Sequence, residues 1–328
     1  MTNARRVVKN TLAMSIMQGS RILLGVVMQV FIARELGAAG LGKYAILLAF
    51  QQIFQIVSQL GLPSLVIREA ARCPQELARY FYASLWAQWV GACLAWALLV
   101  VSVVVLRYPA DTTRLVILSG VALFPHAITT PCQTIMQSQE RMEFITLIEL
   151  IGNVSQVALA FWLIKAGQGV SALVTIVVVP QVVLAAFALL VAWRLGWLWP
   201  IQFDWRFAWR LTRSAGDFYL LSLAVATFSR LDILFISKFL GERATGIYNA
   251  AYQVTRVFNL GTTSYSQAVY PALARVFKAA PERFAMAGRQ LLRYGFMAIL
   301  PVVVGTAILA QPLIHLIYGG RQYAEAAP

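Results

Sequence analysis

FIARELGAAGLGKYAILLAFQQIF (residues 31–54) and FISKFLGERATGIYNAAYQVTRVF (residues 235–258) are two versions of one stretch. At a constant offset and with no gap, Phe31 falls on Phe235, Ile32 on Ile236, Leu36 on Leu240 and Gly37 on Gly241. Further along, Gly42 meets Gly246, Tyr44 meets Tyr248 and Phe54 meets Phe258, while Arg34 meets Lys238. Upstream, Arg6 meets Arg210 and Lys9 meets Arg213. Two apolar helices share Leu, Ile and Ala by chance. Glycines, a tyrosine and basic residues aligned across a helix, a turn and a second helix mark two related halves.

The medium around those halves follows from composition. Of 328 residues, 60% are hydrophobic and 12% charged, with a mean hydropathy of +0.71. Soluble domains sit near ~45–50% apolar and ~25% charged, so the chain reads as an integral membrane protein. Its 27 basic against 13 acidic residues do not point to nucleic acid, because the charges lie in short gaps between long apolar runs, not on a polar surface. MTNARRVVKN ahead of an apolar run resembles a signal peptide. That run continues to Ala33 without a small-residue cleavage site, which makes it a first span. Cys73, Cys93 and Cys132 form neither a metal spacing nor an even set, so no disulfide framework and no metal site is expected.

A helix needs ~20 apolar residues to cross a bilayer. Nine such runs are expected, at 11–33, 43–62, 80–106, 114–138, 145–165, 170–193, 214–240, 247–271 and 291–311. Ten-residue alternating segments, the mark of a membrane barrel, are missing from the sequence. The expected fold class is therefore an all-α polytopic membrane protein. With the N-terminus in the cytoplasm, sixteen of the 27 basic residues fall in inner segments and eight in outer ones, and this bias sets the orientation in the cell membrane.

The repeats begin at the first and seventh spans and enter the membrane in the same direction, so they form a parallel pair. The expected organisation is a six-helix lobe over 1–195, a Trp/Arg-rich amphipathic linker over 196–213, and a second lobe over 214–328. That second lobe holds only counterparts of three helices, and the reading favours a truncated chain. Five tryptophans (Trp193, Trp197, Trp199, Trp205, Trp209) and four arginines crowd residues 193–218. Such a segment is expected to lie along the inner leaflet; a sharper reading makes it a surface for acidic lipid headgroups.

Polar residues inside spans are costly, so their arrangement carries functional information. Gln18, Arg21, Gly25 and Gln29 form one stripe of the first span, Gln52, Gln55 and Gln59 one of the second, and Glu149, Asn153 and Gln156 one of the fifth. Asn249, Gln253 and Arg256 repeat the pattern in the eighth span, by steps of three and four. Four stripes predict a shared wet cavity, although inter-helix hydrogen bonding alone also uses such residues. Arg21 and Arg256 are placed near mid-membrane, where a guanidinium holds phosphate or carboxylate with two hydrogen bonds. Arg230 and Asp232 stand two apart and point to different faces. Asp232 and Glu149 are candidate counter-ions or ion-coupling groups. No phosphate-binding GxxxxGK[ST] loop, HExxH or CxxC occurs, and His126 and His315 lie in different segments. No enzyme and no cofactor is expected.

RLDILFISKFLGERATGIYNAAYQVTRVFN (230–259) resembles the seventh-to-eighth helix segment of polysaccharide-export flippases. These belong to the multidrug/oligosaccharidyl-lipid/polysaccharide exporter superfamily. Asp232, Leu240, Gly241, Gly246, Ile247 and Tyr248 match the pattern. ARELGAAGLGKYA (33–45) is similar to the same family's first loop, QSQERMEF (137–144) to its fourth-to-fifth loop, and PLIHLIYGGRQYAEAAP (312–328) to the segment before its tenth helix. The resemblance implies a two-lobed transporter that moves a polyprenyl-diphosphate-linked oligosaccharide from inner to outer leaflet by alternating access, coupled to a proton or sodium gradient. Implied partners are that lipid-linked oligosaccharide, membrane lipids and the polysaccharide polymerase and export machinery. A peptidoglycan-precursor flippase, a multidrug or cation antiporter and a non-transporting assembly protein are the alternatives. Three intramembrane arginines against two acids weigh against the antiporter.

Overall fold

A computed structural model describes residues 3–201, 203–253, 281–319 and 323. Every regular element among them is helical, as the all-α reading requires. The cause is physical: inside lipid, backbone N–H and C=O groups must find partners within their own segment.

The chain opens with α1 (Asn3–Gln59), two spans run together with Gly37 as the only non-helical joint (φ 69°, ψ −172°). It continues with α2 (Leu62–Arg72), α3 (Leu77–Val105), α4 (Ala110–Ser119) and α5 (Leu123–Ser138). A 3₁₀ turn at Gly120–Ala122 joins α4 and α5 into one span. Next come α6 (Met142–Lys165), α7 (Ala172–Arg194), α8 (Trp205–Ser214), α9 (Gly216–Phe228) and α10 (Leu231–Phe239). A helical run over 241–253 is α11, and Pro281–Tyr318 is α12. Among the described residues six helices are long and apolar enough to cross a membrane; α9 and α10, bent by 43° at their junction, make a seventh if taken together.

That bend departs from expectation. Residues 214–240 read as one uninterrupted span, yet the helix breaks at Ser229–Arg230. No Pro or Gly announces the break, and a single arginine in an apolar helix has a reason to cause it. At the start of α10, beside the break, its side chain reaches a polar partner on another helix. The expected eighth span, 247–271, lies mostly outside the described residues.

Contacts divide the chain into two compact units, Met1–Thr245 and Gly246–Pro328. In the first, α1 packs against α3, α6 and α9, α5 against α3 and α7, and α8 against α3. One apolar core gathers at one end, where Leu62, Leu65 and Val66 of α2 meet Tyr80 and Phe81 of α3, Met136 of α5, Ile148 of α6 and Leu211 of α8. At the same end Gly61 (φ 71°) turns the chain into α2; a Cβ there would stand 2.5 Å from the backbone N of Tyr219 in α9. In the second unit, Tyr318 of α12 donates from its hydroxyl to the Ala250 carbonyl at 3.3 Å, and Tyr248 stacks on Tyr252 at 6.1 Å.

The repeat has a backbone signature. Gly37 and its aligned partner Gly241 both adopt positive φ, 69° and 83°, a region that glycine enters freely and L side chains rarely do. Each marks the place where one helix of the repeat hands over to the next.

Candidate functional site

A seam of polar side chains runs through the first unit. The second half of α1 contributes Gln52, Gln55 and Gln59, all half-buried. Gln59 Nε2 lies 3.0 Å from His126 Nε2 on α5, and the hydroxyl of Thr130, one turn on, is 3.2 Å from the same nitrogen. Gln181 of α7 adjoins this imidazole, and Arg21 of α1 lies within electrostatic reach of it. A further turn along α5, Gln133 donates to the Glu149 carboxylate of α6 at 2.8 Å. Gln156, two turns above Glu149, donates to the hydroxyl of buried Tyr44 at 3.4 Å. From the broken helix, Arg230 donates through Nε to Gln52 Oε1 at 2.6 Å. Asp232 sits in the first turn of α10, where its carboxylate accepts from the Ile233 N–H at 2.8 Å.

The seam is incompletely satisfied. Asn153 Nδ2 and Gln181 Oε1 are buried without a hydrogen-bond partner among the described residues. Orphaned polar atoms of this kind are rare in native proteins and ask for a partner such as water, ion or ligand. The seam is also lopsided in charge. Amides and hydroxyls dominate, Glu149 is the acid among them, and Arg230 enters from the side.

The expected stripes thus fare differently. Gln52, Gln59, Glu149 and Gln156 meet polar partners on neighbouring helices, and Gln55 and Asn153 lie on the same faces. Gln18 and Arg21 are exposed and Gln29 is buried. Asn249 and Gln253 are buried in the second unit. Arg256 lies outside the described residues. Sequence reasoning missed the contribution of α5 and α7. His126, Thr130 and Gln133 recur by steps of four and three, the spacing that marks the other stripes.

A second polar group closes the opposite end of the unit from the apolar core. Lys43 pairs with Asp111 and, at 3.5 Å, with Glu242, while the Thr112 hydroxyl donates to Glu242. Tyr108 and Ser237 share a hydrogen bond of 2.6 Å, and Lys238 donates to the Leu106 carbonyl. Lys165 binds Glu35 at 2.6 Å. These contacts tie the end of α10 to the residues just before and within α4 and to the start of the second half of α1.

Arranged this way, the helices define the fold of a transporter class. One solved structure similar to the chain is an inward-facing multidrug resistance MATE family transporter of the MOP superfamily, at 14% identity and a TM-score of 0.64 over 97% of this chain and 78% of that one. Another is a MOP superfamily transporter from Pyrococcus furiosus, at 13% identity and a TM-score of 0.61 over 98% and 75%. A eukaryotic MATE transporter matches at 15% identity and a TM-score of 0.58 over 98% and 78%. At such identities the likeness is one of fold. No curated protein sequence matches the chain. The sequence model for polysaccharide biosynthesis proteins does match, over residues 31–328, and the chain belongs to that family. It is a multi-pass membrane protein with a transporter fold.

Proposed function

We propose that the protein flips a polyprenyl-diphosphate-linked oligosaccharide from the cytoplasmic to the outer leaflet by alternating access, with its N-terminus in the cytoplasm. The observation that carries this reading is the amide-rich seam of the first unit, set in the chain of a polysaccharide biosynthesis family. Amides both donate and accept, which suits sugar hydroxyls. Arg21 and Arg230 supply the cationic charge that a diphosphate requires, and the guanidinium fork fits phosphate oxygens. A cation exporter asks for the opposite balance, with several carboxylates lining the path, and the seam offers Glu149. Glu149 and Asp232 are proposed as counter-ions or as sites for a coupling proton or sodium ion.

The test is the leaflet location of the lipid-linked oligosaccharide in cells lacking the gene, complemented by the parent or by Arg21→Ala, Gln59→Leu or Gln133→Leu. The expected outcome is intermediate trapped on the inner face in the deletion and in the seam variants. Normal translocation in the deletion overturns the oligosaccharide assignment. Trapping in the deletion with full rescue by every variant moves the path away from the seam.

A further inference from the structure

The end of the first unit that holds this apolar core is also rich in arginine, and several of the arginines are paired with carboxylates, while Arg194 lies over the Trp193 ring. Arg68 and Arg72 both pair with Glu69, at 2.9 and 3.6 Å; Arg79 pairs with Asp204 at 2.9 Å and Arg141 with Glu143 at 3.5 Å. Arg206, Arg210 and Arg213 of α8 are exposed and have no carboxylate partner among the described residues. They recur by four and three residues, so one stripe of the helix carries all three. The opposite face is anchored: Ala208 and Leu211 are buried in the core, and Phe207 stacks edge-on against Tyr80 at 5.2 Å.

Between the anchored face and the arginine stripe runs an apolar edge. Trp205 is 49% exposed and Trp209 61%, their rings stacked at 6.4 Å. Phe203 and Trp199, just before the helix, are exposed as well. In water this edge is unfavourable. At a bilayer surface it is not, because indoles settle at the boundary between headgroups and acyl chains, and guanidinium groups beside them reach lipid phosphates. The spread of charge narrows the ligand further. Seven residues separate the first arginine from the last, about 10 Å along a helix, which is wide for one diphosphate and suited to several neighbouring headgroups.

We propose that α8 is a docking surface for anionic phospholipid headgroups of the leaflet it lies against, gripping their phosphates through Arg206, Arg210 and Arg213 while Trp205 and Trp209 sit among the chains. The surface is independent of what the transporter carries. It fixes the segment that joins α7 to α9, and so ties that end of the first unit to the membrane plane.

The test uses the full chain in detergent–lipid micelles containing equimolar phosphatidylglycerol and phosphatidylcholine, with the co-purifying lipid quantified. The parent is expected to enrich phosphatidylglycerol, with the enrichment falling about fivefold for each arginine removed in the series ending at Arg206→Gln/Arg210→Gln/Arg213→Gln. The corresponding Arg→Lys triple keeps most of the enrichment, and Arg68→Gln/Arg72→Gln keeps all of it. If the glutamine triple is not recovered folded, the three single variants give the same readout, since none of these side chains is buried. Absence of enrichment in the parent, or its survival in the glutamine series, overturns the proposal. So does displacement of phosphatidylglycerol by an equal amount of sugar-free polyprenyl diphosphate that the triple variant fails to bind; the surface is then a substrate dock.

Discussion

The two ends of the first unit both bury apolar side chains and differ in the polar contacts that cross them. At the α8 end, a continuous apolar core joins α2, α3, α5, α6, α7 and α8, and α9 approaches Gly61 so closely that backbone touches backbone. At the other end, buried Leu41, Ile46, Leu47, Val103 and Val116 are joined by polar contacts: Lys43 sits between Asp111 and Glu242, and hydrogen bonds join Tyr108 to Ser237 and Lys238 to Leu106. Apolar burial is non-directional and scales with area, so it survives small displacements. A set of ion pairs and short hydrogen bonds depends on geometry and can be exchanged for water at small net cost. Under the alternating access proposed above, the core end would serve as the hinge and the end held by Lys43, Asp111 and Glu242 as the gate.

The contrast breaks first at Gly61. Gly61→Ala places a Cβ 2.5 Å from the Tyr219 nitrogen at a positive φ. The conformation costs about 1–2 kcal/mol and the clash about 1–3 more. A large drop in thermal midpoint and in monodisperse yield is expected; an unchanged midpoint would show that the core end is no more rigid than the polar one.

Lys43→Met tests the polar contacts at that end. The Lys43 side chain is 14% exposed and that of Glu242 19%, so removing the amine strands a partly buried charge at a cost of about 2 kcal/mol, roughly thirtyfold in the equilibrium for breaking these contacts. Ser237 is 5% exposed. With Cys73, Cys93 and Cys132 replaced, Ser237→Cys should react with a membrane-impermeant maleimide at least tenfold faster in the Lys43→Met background. Asp111→Asn should move the rate much less, because that carboxylate is 61% exposed and already screened by water. Equal effects at the two acids would remove the asymmetry argued for Lys43.

Gln52→Ala withdraws the acceptor of Arg230 beside the helix break. A loss of about 1 kcal/mol is expected, read as a lower thermal midpoint of a few degrees together with slower substrate flipping. Stability falling without any change in flipping would mark the pair as packing alone.

The smallest effect belongs to Asp204. It caps α8 by accepting from the Phe207 N–H, and that bond, with the Arg79 guanidinium, holds its carboxyl below the ordinary aspartate value of 3.8. A lowered folded pKa contributes stability that is complete above the unfolded value and fades as pH falls through the folded one. The thermal midpoint of the parent should therefore decline slightly more steeply below about pH 4 than that of Asp204→Asn, which keeps the cap and loses the charge.

Much of this architecture was legible in the sequence because hydropathy and period report directly on helices in lipid. The repeat is read from aligned glycines, a tyrosine and basic residues, and the aligned Gly37 and Gly241 both have positive φ. The amphipathic character of residues 205–214 could be read from alternating Trp and Arg. The break at Ser229–Arg230 could not, because the Arg230 side chain beside it bonds Gln52, which lies far away in sequence and close in space. The seam was half legible. Stripes at 52/55/59 and 149/153/156 stood out, whereas His126, Thr130 and Gln133 were passed over because their residue types differ although their spacing does not. The cluster at Lys43 was invisible for a third reason: Lys43, Asp111 and Glu242 come from three separate helices, and only the fold brings them together.

Gly37 carries one more consequence. Its φ of 69° and ψ of −172° are the mirror image of an ordinary extended conformation, so the joint between the two spans of α1 is a site of reversed chirality. The backbone there suits a D-alanine placed by chemical ligation and opposes L-alanine, and the D residue would narrow the range of shapes open to the unfolded chain. Handedness, rather than size or polarity, is what this position selects.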